Sequence, residues 1–282
     1  MRICHPDATY ITKSINHYIA PSLNHYITTQ LHHMKVSLIT ITFNSEKTLE
    51  DTIKSVISQD YPNIEYIIID GNSKDGTMAL VEKYRDHISK VVSEPDRGLY
   101  DAMNKGWQHA TGDIVGYINS DDYLTCTDAI SSVVQEFKKD PTLDGVHADL
   151  YYVNAIDTNK VVRYWRTSEY VPGAFRYGWH PAHPTFYAKR SCYEQLGGFR
   201  LDLPLSADFE LMLRFIEVHQ LKTKHIDKVL VRMRVGGVTS RNMMSILHGI
   251  VQCRHSFKVN GIKAPIYYPL LRLFPKLKQF VK

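Results

Sequence analysis

Two adjacent carboxylates in the stretch DIVGYINSDDYL, residues 113–124, have the clearest potential for chemistry in this chain. Asp121 and Asp122 come shortly after an apolar run of the kind that forms a buried strand. Neighbouring carboxylates repel each other and resist the loss of water, so their position indicates a nearby cation or solvent. A Mg²⁺ or Mn²⁺ ion uses one or two protein carboxylates and takes its other ligands from water and phosphate oxygens. The alternative is a solvated turn, because Asn-Ser-Asp-Asp is ordinary turn sequence.

The elements that must position this pair alternate between strands and helices. We predict strands at 36–41, 64–70, 88–93 and 113–118, with helices at 49–57, 77–86 and 99–110. In the first helix the apolar residues follow the spacing of one helix face, and Pro62 ends the pattern. This alternation predicts right-handed βαβ units and therefore an α/β, Rossmann-like fold with a mostly parallel sheet flanked by helices.

Polar residues stand where each predicted strand ends. The four groups are Thr42-Phe43-Asn44, Asp70-Gly71-Asn72-Ser73, Glu94-Pro95-Asp96 and Asn119-Ser120-Asp121-Asp122. Because ligands bind at the carboxyl ends of parallel strands, we expect these groups to converge on one acidic crevice.

The second half of the chain is less regular. Residues 146–153 and 160–166 predict a hairpin, HPAHPTFYAKR (180–190) runs into a strand, and an apolar stripe predicts a helix that opens at Asp208. No Gly/Ser-rich or Pro-rich linker separates the halves, so we expect one domain, 34–240, with a smaller β/α extension after residue 124.

Composition excludes several classes of function. The net charge of +5 is mild for 282 residues, and Lys and Arg occur along most of the chain, which argues against a nucleic-acid partner. The four cysteines show no metal-ligand spacing, and no apolar run reaches the roughly 20 residues of a membrane-spanning helix. Residues 1–33 carry a near-repeat and no signal-peptide pattern, so we expect a disordered or artefactual leader.

Three segments together resemble the family-2 glycosyltransferases of the GT-A fold. They are VSLITITFNSEKTLEDTIKSVISQDYPNIEYIIIDGNSKDGT, EPDRGLYDAMNKG and ATGDIVGYINSDDYL, and the resemblance covers residues 35 to about 240. It is strongest to bacterial enzymes of the colanic-acid or exopolysaccharide type. The resemblance implies a nucleotide-diphosphate sugar donor bound with Mg²⁺ or Mn²⁺ by residues 34–124. It also implies a saccharide or lipid-linked saccharide acceptor bound by residues 125–240, in the bacterial cytoplasm.

Site residues follow from the resemblance position by position. The residues expected to bind the nucleotide are Thr42, Phe43 (stacked on the base), Asn44, Asp70, Asn104 and Ser120. Asp121 is the expected metal ligand, with Asp122 as a second or supporting acid. His180 and His183 lie where relatives place residues that face the acceptor.

This chain departs from the family pattern at three positions. Gly71 stands where many relatives have a second acid, Asn119 where they have the first Asp of DxD, and Ala207 where they have the Glu of an ED pair. Asp208 is therefore the one acid left at the ED site, where the resemblance implies the catalytic base. A carboxylate near the acceptor hydroxyl can take its proton as the bond forms, and a single base suits inversion. The alternative for Asp208 is a helix N-cap, which contributes about 1 kcal/mol.

The remaining segments leave alternatives open. VGGVTSRN (235–242) is either a mobile loop that closes over the donor or a plain turn. Residues 241–282 end in a basic, amphipathic stretch, which either contacts the inner face of the cell membrane or packs on the core. Two other functions stay in view for the whole chain, namely a non-catalytic nucleotide- or glycan-binding module and a sugar nucleotidyltransferase. The second would want a Gly-rich, basic loop after the first strand, which TFNSEKT does not supply.

Overall fold

The computed structural model describes residues 34–236 and 243–268, with side chains described for 34–236 and 248–268. The described residues from Lys35 onward belong to one compact unit. The predicted leader 1–33, residues 237–242 of the predicted loop and residues 269–282 of the basic segment lie outside the described residues.

The first half of the sheet is parallel, as the alternating pattern predicts. Its strands are β1 (Val36–Thr42), β2 (Ile64–Asp70), β3 (Lys90–Ser93) and β4 (Ile114–Tyr117), in the spatial order β3-β2-β1-β4. Every residue of β1 and β4 is buried, which is typical of strands covered by helices on both faces.

The helices between these strands are α1 (Leu49–Ile57), α2 (Thr77–Lys83) and α3 (Leu99–His109). The predicted helix 77–86 ends early, at Lys83, and a short 3₁₀ turn (Arg85–His87) follows it. Helix α3 packs closely on β1, because a methyl group placed on Gly106 would come within 2.6 Å of the Ile39 side chain.

The second half extends the same sheet with mixed strand directions. Its strands are β5 (Asp122–Leu124), β6 (Gly145–Val153), β7 (Val161–Trp165), β8 (Tyr187–Lys189) and β9 (Thr223–Arg234). Strand β8 joins β4 antiparallel, and the order continues β8-β6-β9-β5, with β7 paired to β6. The predicted hairpin is therefore β6–β7, whereas the pattern did not predict β5 or the long strand β9.

The helices of this half are α4 (Ala129–Lys139), α5 (Arg190–Leu196), α6 (Ala207–Met212) and α7 (Met243–Val259). Helix α6 continues into a π-helical segment, Leu213–Val218. One core joins both halves, since Ile39, Met103 and Tyr117 belong to the same buried cluster as Phe209 of α6 and Phe257 of α7. Within the described ranges, no helix combines the length and apolar character needed to cross a membrane.

Candidate active site

The strand ends of the parallel half meet, as expected from the sequence. Thr42, Asp70 and Ser93 are register partners across β1, β2 and β3. The segment after β4 runs beside β1, where the backbone N–H of Ser120 donates to the carbonyl of Ile41 at 3.3 Å. The polar groups of four separate sequence segments therefore share one edge of the sheet.

The turn after β2 is held from inside by Asp70. Its completely buried carboxylate accepts hydrogen bonds from the backbone N–H of Ser73 at 3.0 Å and from the Ser93 hydroxyl at 2.6 Å. The carboxylate is thus engaged within the turn, and the expected contact of Asp70 with the nucleotide stays a prediction. Asp70 supports the turn, and Ser73 in turn accepts the N–H of Asn44 at 2.8 Å.

The loop after β1 exposes an aromatic ring at this edge. Phe43 is 61% exposed, between the buried Thr42 and Asn44, whose φ of 50° turns the chain sharply. Asn44 accepts the backbone N–H of Lys74 at 2.9 Å, so both loops are tied together. The exposed face of Phe43 suits a stacked base. The buried hydroxyl of Thr42 has no hydrogen-bond partner among the described residues.

The two carboxylates after β4 face different surroundings. Asp122 is completely buried, and its carboxylate accepts from the Asn119 side-chain amide and from the backbone N–H of Arg234, each at 3.3 Å. Asp121 is partly buried, and its backbone carbonyl accepts from the Arg234 guanidinium at 2.7 Å. Asp122 therefore anchors the loop, and Asp121 is the one of the pair that can present its carboxylate to a ligand. Ser120 fixes this loop to the loop after β1 through the Ser45 hydroxyl at 2.8 Å.

Electrostatics at this pair disfavour two bare negative charges. Burial raises the pKa of the Asp121 carboxyl above its ordinary value, against the opposing influence of Arg234 and His183. Burial and the neighbouring charge of Asp121 raise the pKa of Asp122 well above its ordinary value. An additional cation next to Asp121 would relieve this repulsion.

The candidate base lies on α6 and is held by two aromatic side chains. The hydroxyl of Tyr100, from α3, donates to Asp208 Oδ1 at 2.9 Å. Burial and the Asp208 charge raise the pKa of Tyr100 well above its ordinary value, so Tyr100 stays protonated as a donor. His183 Nδ1 lies 3.8 Å from Asp208 Oδ2, and the Asp208 side chain remains 30% exposed.

The N-cap alternative for Asp208 is wrong. Ser206 occupies the N-cap of α6, and Asp208 is the second residue inside the helix. Its carboxylate is directed to Tyr100 and His183, and it is therefore available for chemistry at the site.

His183 connects the two acidic centres. It interacts electrostatically with both Asp208 and Asp121, while burial lowers the pKa of its imidazole below the ordinary value. Its Nε2 is buried and has no hydrogen-bond partner among the described residues. His180, three residues earlier, packs instead between Trp165 and Phe209, with ring centroids 4.9 and 5.5 Å away.

Asn104 hydrogen-bonds within the protein in this structure. Its side-chain amide donates to the carbonyl of Phe199 at 2.8 Å and accepts the Phe199 N–H at 2.8 Å, while the Trp107 indole donates to the same oxygen. These bonds use the amide to join α3 to the segment after α5. The structure therefore gives Asn104 a structural role, and the expected nucleotide contact stays a prediction.

The acidic side chains at this edge offer part of a ligand set for a divalent cation. Within residues 34–236 and 248–268, no three His, Cys, Asp or Glu side chains converge as a complete metal site. Asp121 offers a carboxylate, and an ion that keeps water and diphosphate oxygens as its remaining ligands needs no more than one or two. The residues present therefore fit a cation that binds together with a diphosphate.

Sequence reasoning missed two residues of the site. Tyr100 precedes Asp101 in a predicted helix, and only its contact with Asp208, 108 residues away, marks it out. Arg234 ends β9 and braces Asp121 and Asp122, and it also pairs with Asp51 at 2.5 Å. Neither role has a local signal, although Arg234 directly precedes the glycine-containing loop that the sequence singles out.

Comparison with known proteins identifies the family of this chain. The family model described as "Glycosyl transferase family 2" matches residues 37–198. An uncharacterized glycosyltransferase of Mycobacterium tuberculosis is 32% identical over 220 residues, which are 76% of this chain and 80% of that protein. The chain belongs to glycosyltransferase family 2.

Two solved structures show the same fold. Staphylococcus aureus TarS 1–349 in complex with UDP-GlcNAc aligns with a TM-score of 0.64 and 19% identity, over 84% of this chain and 69% of that one. The mannosyltransferase PcManGT from Pyrobaculum calidifontis, solved with GDP-Man and Mn²⁺, aligns with a TM-score of 0.63 and 22% identity, over 93% and 78%. The GT-A-type α/β fold expected from the sequence is confirmed.

TarS is also a relative by sequence, as a poly(ribitol-phosphate) β-N-acetylglucosaminyltransferase. It is 35% identical over 96 residues, which are 32% of this chain and 17% of TarS.

Proposed function

We propose that this chain is an inverting, metal-dependent glycosyltransferase of surface polysaccharide synthesis. It moves a sugar from a nucleotide-diphosphate donor to a hydroxyl of a saccharide or lipid-linked saccharide. The observation that carries the proposal is the position of the Asp208 carboxylate, which accepts from the Tyr100 hydroxyl at 2.9 Å and lies 3.8 Å from His183, whose imidazole also experiences the charge of Asp121. A diphosphate group near Asp121 and an acceptor hydroxyl near Asp208 would then meet at one point.

The chemistry assigned to each residue follows from its surroundings. The Asp208 carboxylate, oriented by the Tyr100 hydroxyl, accepts the proton of the acceptor hydroxyl as the new glycosidic bond forms. Displacement in line with the leaving diphosphate then inverts the anomeric carbon. A Mg²⁺ or Mn²⁺ ion held by Asp121 would neutralise the charge that grows on the departing diphosphate. Phe43 offers its exposed ring to the base, while Ser120 and Asp122 hold the loop that carries Asp121.

The donor class is supported by what the structural neighbours contain. TarS was solved with UDP and with UDP-GlcNAc, and PcManGT with GDP-Man and Mn²⁺. A polymeric acceptor is supported by TarS, whose name includes the polymer poly(ribitol-phosphate).

The charge distribution favours an acceptor carried on the cytoplasmic face of a membrane. Residues 228–282 contain 11 Lys and Arg residues and neither Asp nor Glu, so all 29 acids precede them. On α7, Val251, Arg254, His255 and Lys258 form one exposed face. Basic and apolar side chains together suit an anionic lipid surface. Cosedimentation with phosphatidylglycerol vesicles tests this contact, and R254E/K258E should weaken it; equal binding to neutral vesicles would contradict it.

The catalytic claim is tested by Asp208→Asn. Release of nucleoside diphosphate from UDP-GlcNAc and GDP-mannose, with water as the acceptor, measures turnover without knowledge of the natural acceptor. The loss of the base should lower turnover by about 10²- to 10⁴-fold while the affinity for the diphosphate stays unchanged. Asp202→Asn, at an exposed aspartate paired with Arg200, is the matched control and should keep full turnover. Unchanged turnover in Asp208→Asn would reject the base. A wild-type protein that binds nucleotide without turnover would instead indicate a binding module.

A further inference from the structure

An acidic side chain from the loop after β3 fills the space beside Gly71. A methyl group placed on Gly71 would lie 2.6 Å from Asp96 Oδ2 and 3.2 Å from Phe43 Cδ2. Gly71 itself is buried, and its N–H donates to the carbonyl of Thr42 at 2.9 Å. The Asp96 carboxylate and the edge of the exposed Phe43 ring therefore converge on the same point, which only a glycine at position 71 leaves open.

The loop around Asp96 fixes the direction of this carboxylate. Asp96 Oδ1 accepts the backbone N–H of Gly98 at 2.8 Å, and Gly98 takes a φ of 112° that strains any other residue. The loop is tied to β2 by the N–H of Glu94, which donates to the carbonyl of Asp70 at 3.0 Å. Lys105 ties it to α3, since its Nζ donates to the carbonyl of Pro95 at 2.8 Å. The second oxygen, Oδ2, faces Gly71, and the described residues give it no hydrogen-bond donor.

This geometry defines what a ring stacked on Phe43 would meet. A planar base stacked on the exposed face of Phe43, with its hydrogen-bonding edge toward Gly71, would meet Asp96 Oδ2. An ionised carboxylate only accepts hydrogen bonds, so it selects a donor at that edge. Uracil and thymine carry a ring N–H between two carbonyls, and guanine carries a ring N–H beside its amino group. Cytosine and adenine carry an unprotonated ring nitrogen there, which repels a carboxylate oxygen and leaves only the exocyclic amino group as a donor, so both should bind less tightly.

We propose that Asp96 determines the nucleobase by accepting the ring N–H of a uracil, thymine or guanine stacked on Phe43. The proposal rests on the proposed function, because it assumes that a nucleotide diphosphate occupies the crevice. It assigns a specificity role to a residue outside the strand-end pair Asp121–Asp122, and it places cytidine and adenosine diphosphates among the rejected ligands.

The test is calorimetric titration of the full chain with UDP, dTDP, GDP, CDP and ADP in the presence of Mn²⁺. Wild type should bind at least one of the first three about 10-fold or more tightly than CDP and ADP. Asp96→Asn should lower the affinity for that nucleotide by about 10- to 100-fold. The affinity for CDP should then become similar, because an amide can donate to the cytosine ring nitrogen. The titrations with UDP and GDP distinguish a preference for uracil from a preference for guanine. Asp86→Asn, on the exposed turn before β3, is the matched control and should change nothing.

A second variant moves the carboxylate instead of deleting it. Asp96→Gly should lose the preference, and adding Gly71→Asp should restore it, because the new carboxylate would reach the same edge from β2. Melting temperatures of the free variants confirm folding. An Asp96→Asn protein that keeps the wild-type affinity and base preference would overturn the inference and leave the proposed function standing. A wild-type protein that binds none of the five nucleotides would overturn both.

Discussion

The N-terminal half (34–124) and the C-terminal half (125–236) satisfy their buried polar groups in different ways. In the N-terminal half, the described side-chain atoms that are buried without a partner are Thr42 Oγ1 and Asn119 Oδ1, both at strand ends of the site. In the C-terminal half such atoms are scattered, and they include atoms of Thr125, His147, Thr167, His183, Tyr187, Ser206 and Thr223.

Hydroxyl and carboxylate networks account for the first pattern. At the C-terminal end of β2, Asp70 accepts hydrogen bonds from Ser73 and Ser93. At the opposite end of the strand, Glu65 accepts from Lys35, Ser37 and Thr111. Aromatic packing dominates the second pattern, where Trp179 contacts the buried His147 edge-on and His225 stacks on it. Since buried polar groups are normally paired, a ligand bound at this edge would supply the partners that Thr42 Oγ1 and Asn119 Oδ1 lack among the described residues.

The largest expected effect concerns the helix that carries Asp208. Glu210 is almost fully buried and accepts from Arg214 and Asn260, each at 3.0 Å, while Arg214 also binds the carbonyls of Gly197 and Gly198. Glu210→Ala leaves the partly buried Arg214 guanidinium without its carboxylate partner and should lower the free energy of unfolding by about 3–5 kcal/mol. Ser73→Ala, in the redundant network of the N-terminal half, should cost about 1 kcal/mol. Urea denaturation measures the free energy of unfolding of both variants. Equal losses of stability would contradict the difference proposed between the two halves.

An effect of intermediate size concerns the pH dependence of the free energy of unfolding. Burial and the nearby His225 lower the pKa of His147 from 6.5 to about 3. As the pH falls, His147 takes up a proton in the unfolded chain before it does so in the folded protein. The free energy of unfolding is therefore unaffected by protonation of His147 above pH 6.5 and decreases as the pH drops toward 3. Between pH 7 and pH 5, His147 should lower the free energy of unfolding by about 2 kcal/mol, and His147→Leu should abolish this contribution to the pH dependence.

Glu65→Gln provides the control from the other half. Burial raises the pKa of Glu65, but the hydrogen bonds from Lys35, Ser37 and Thr111 outweigh it and lower the pKa from 4.5 to about 2. Its stabilisation is present above pH 4.5 and is lost toward pH 2, so Glu65→Gln should leave the change between pH 7 and pH 5 intact. Urea midpoints at both pH values decide, and a wild-type pH dependence in His147→Leu would contradict the assignment.

The smallest effect concerns the orientation of Asp208. Tyr100→Phe removes one hydrogen bond to the carboxylate and should lower kcat about 3- to 10-fold, with the affinity for the nucleotide unchanged. Diphosphate release and calorimetry measure the two quantities. A loss of affinity without a loss of kcat would assign Tyr100 to donor binding instead.

Sequence patterns predicted the N-terminal half well because its strands and helices repeat at a regular period and end in recognisable turns. They did not predict the contacts that a residue makes with a distant partner. Asn104 meets Phe199 across 95 positions, and the backbone of Arg234 meets Asp122 across 112. Asp70 was predicted by position alone, whereas its burial depends on Ser93 of the next strand. In the C-terminal half, β9 has no regular alternation of buried and exposed residues, so its length was not predicted.

The central claim is that Asp121 holds a divalent cation against a nucleotide diphosphate. Thermal unfolding with UDP, GDP, dTDP or CDP, in Mn²⁺ or in EDTA, tests it most directly. With a nucleotide at one hundred times its Kd, the melting temperature should rise by about 5 °C or more in Mn²⁺. The rise should vanish in EDTA and in Asp121→Ala, and it should persist in Asp86→Asn. The same rise in EDTA, or in Asp121→Ala, would contradict the account.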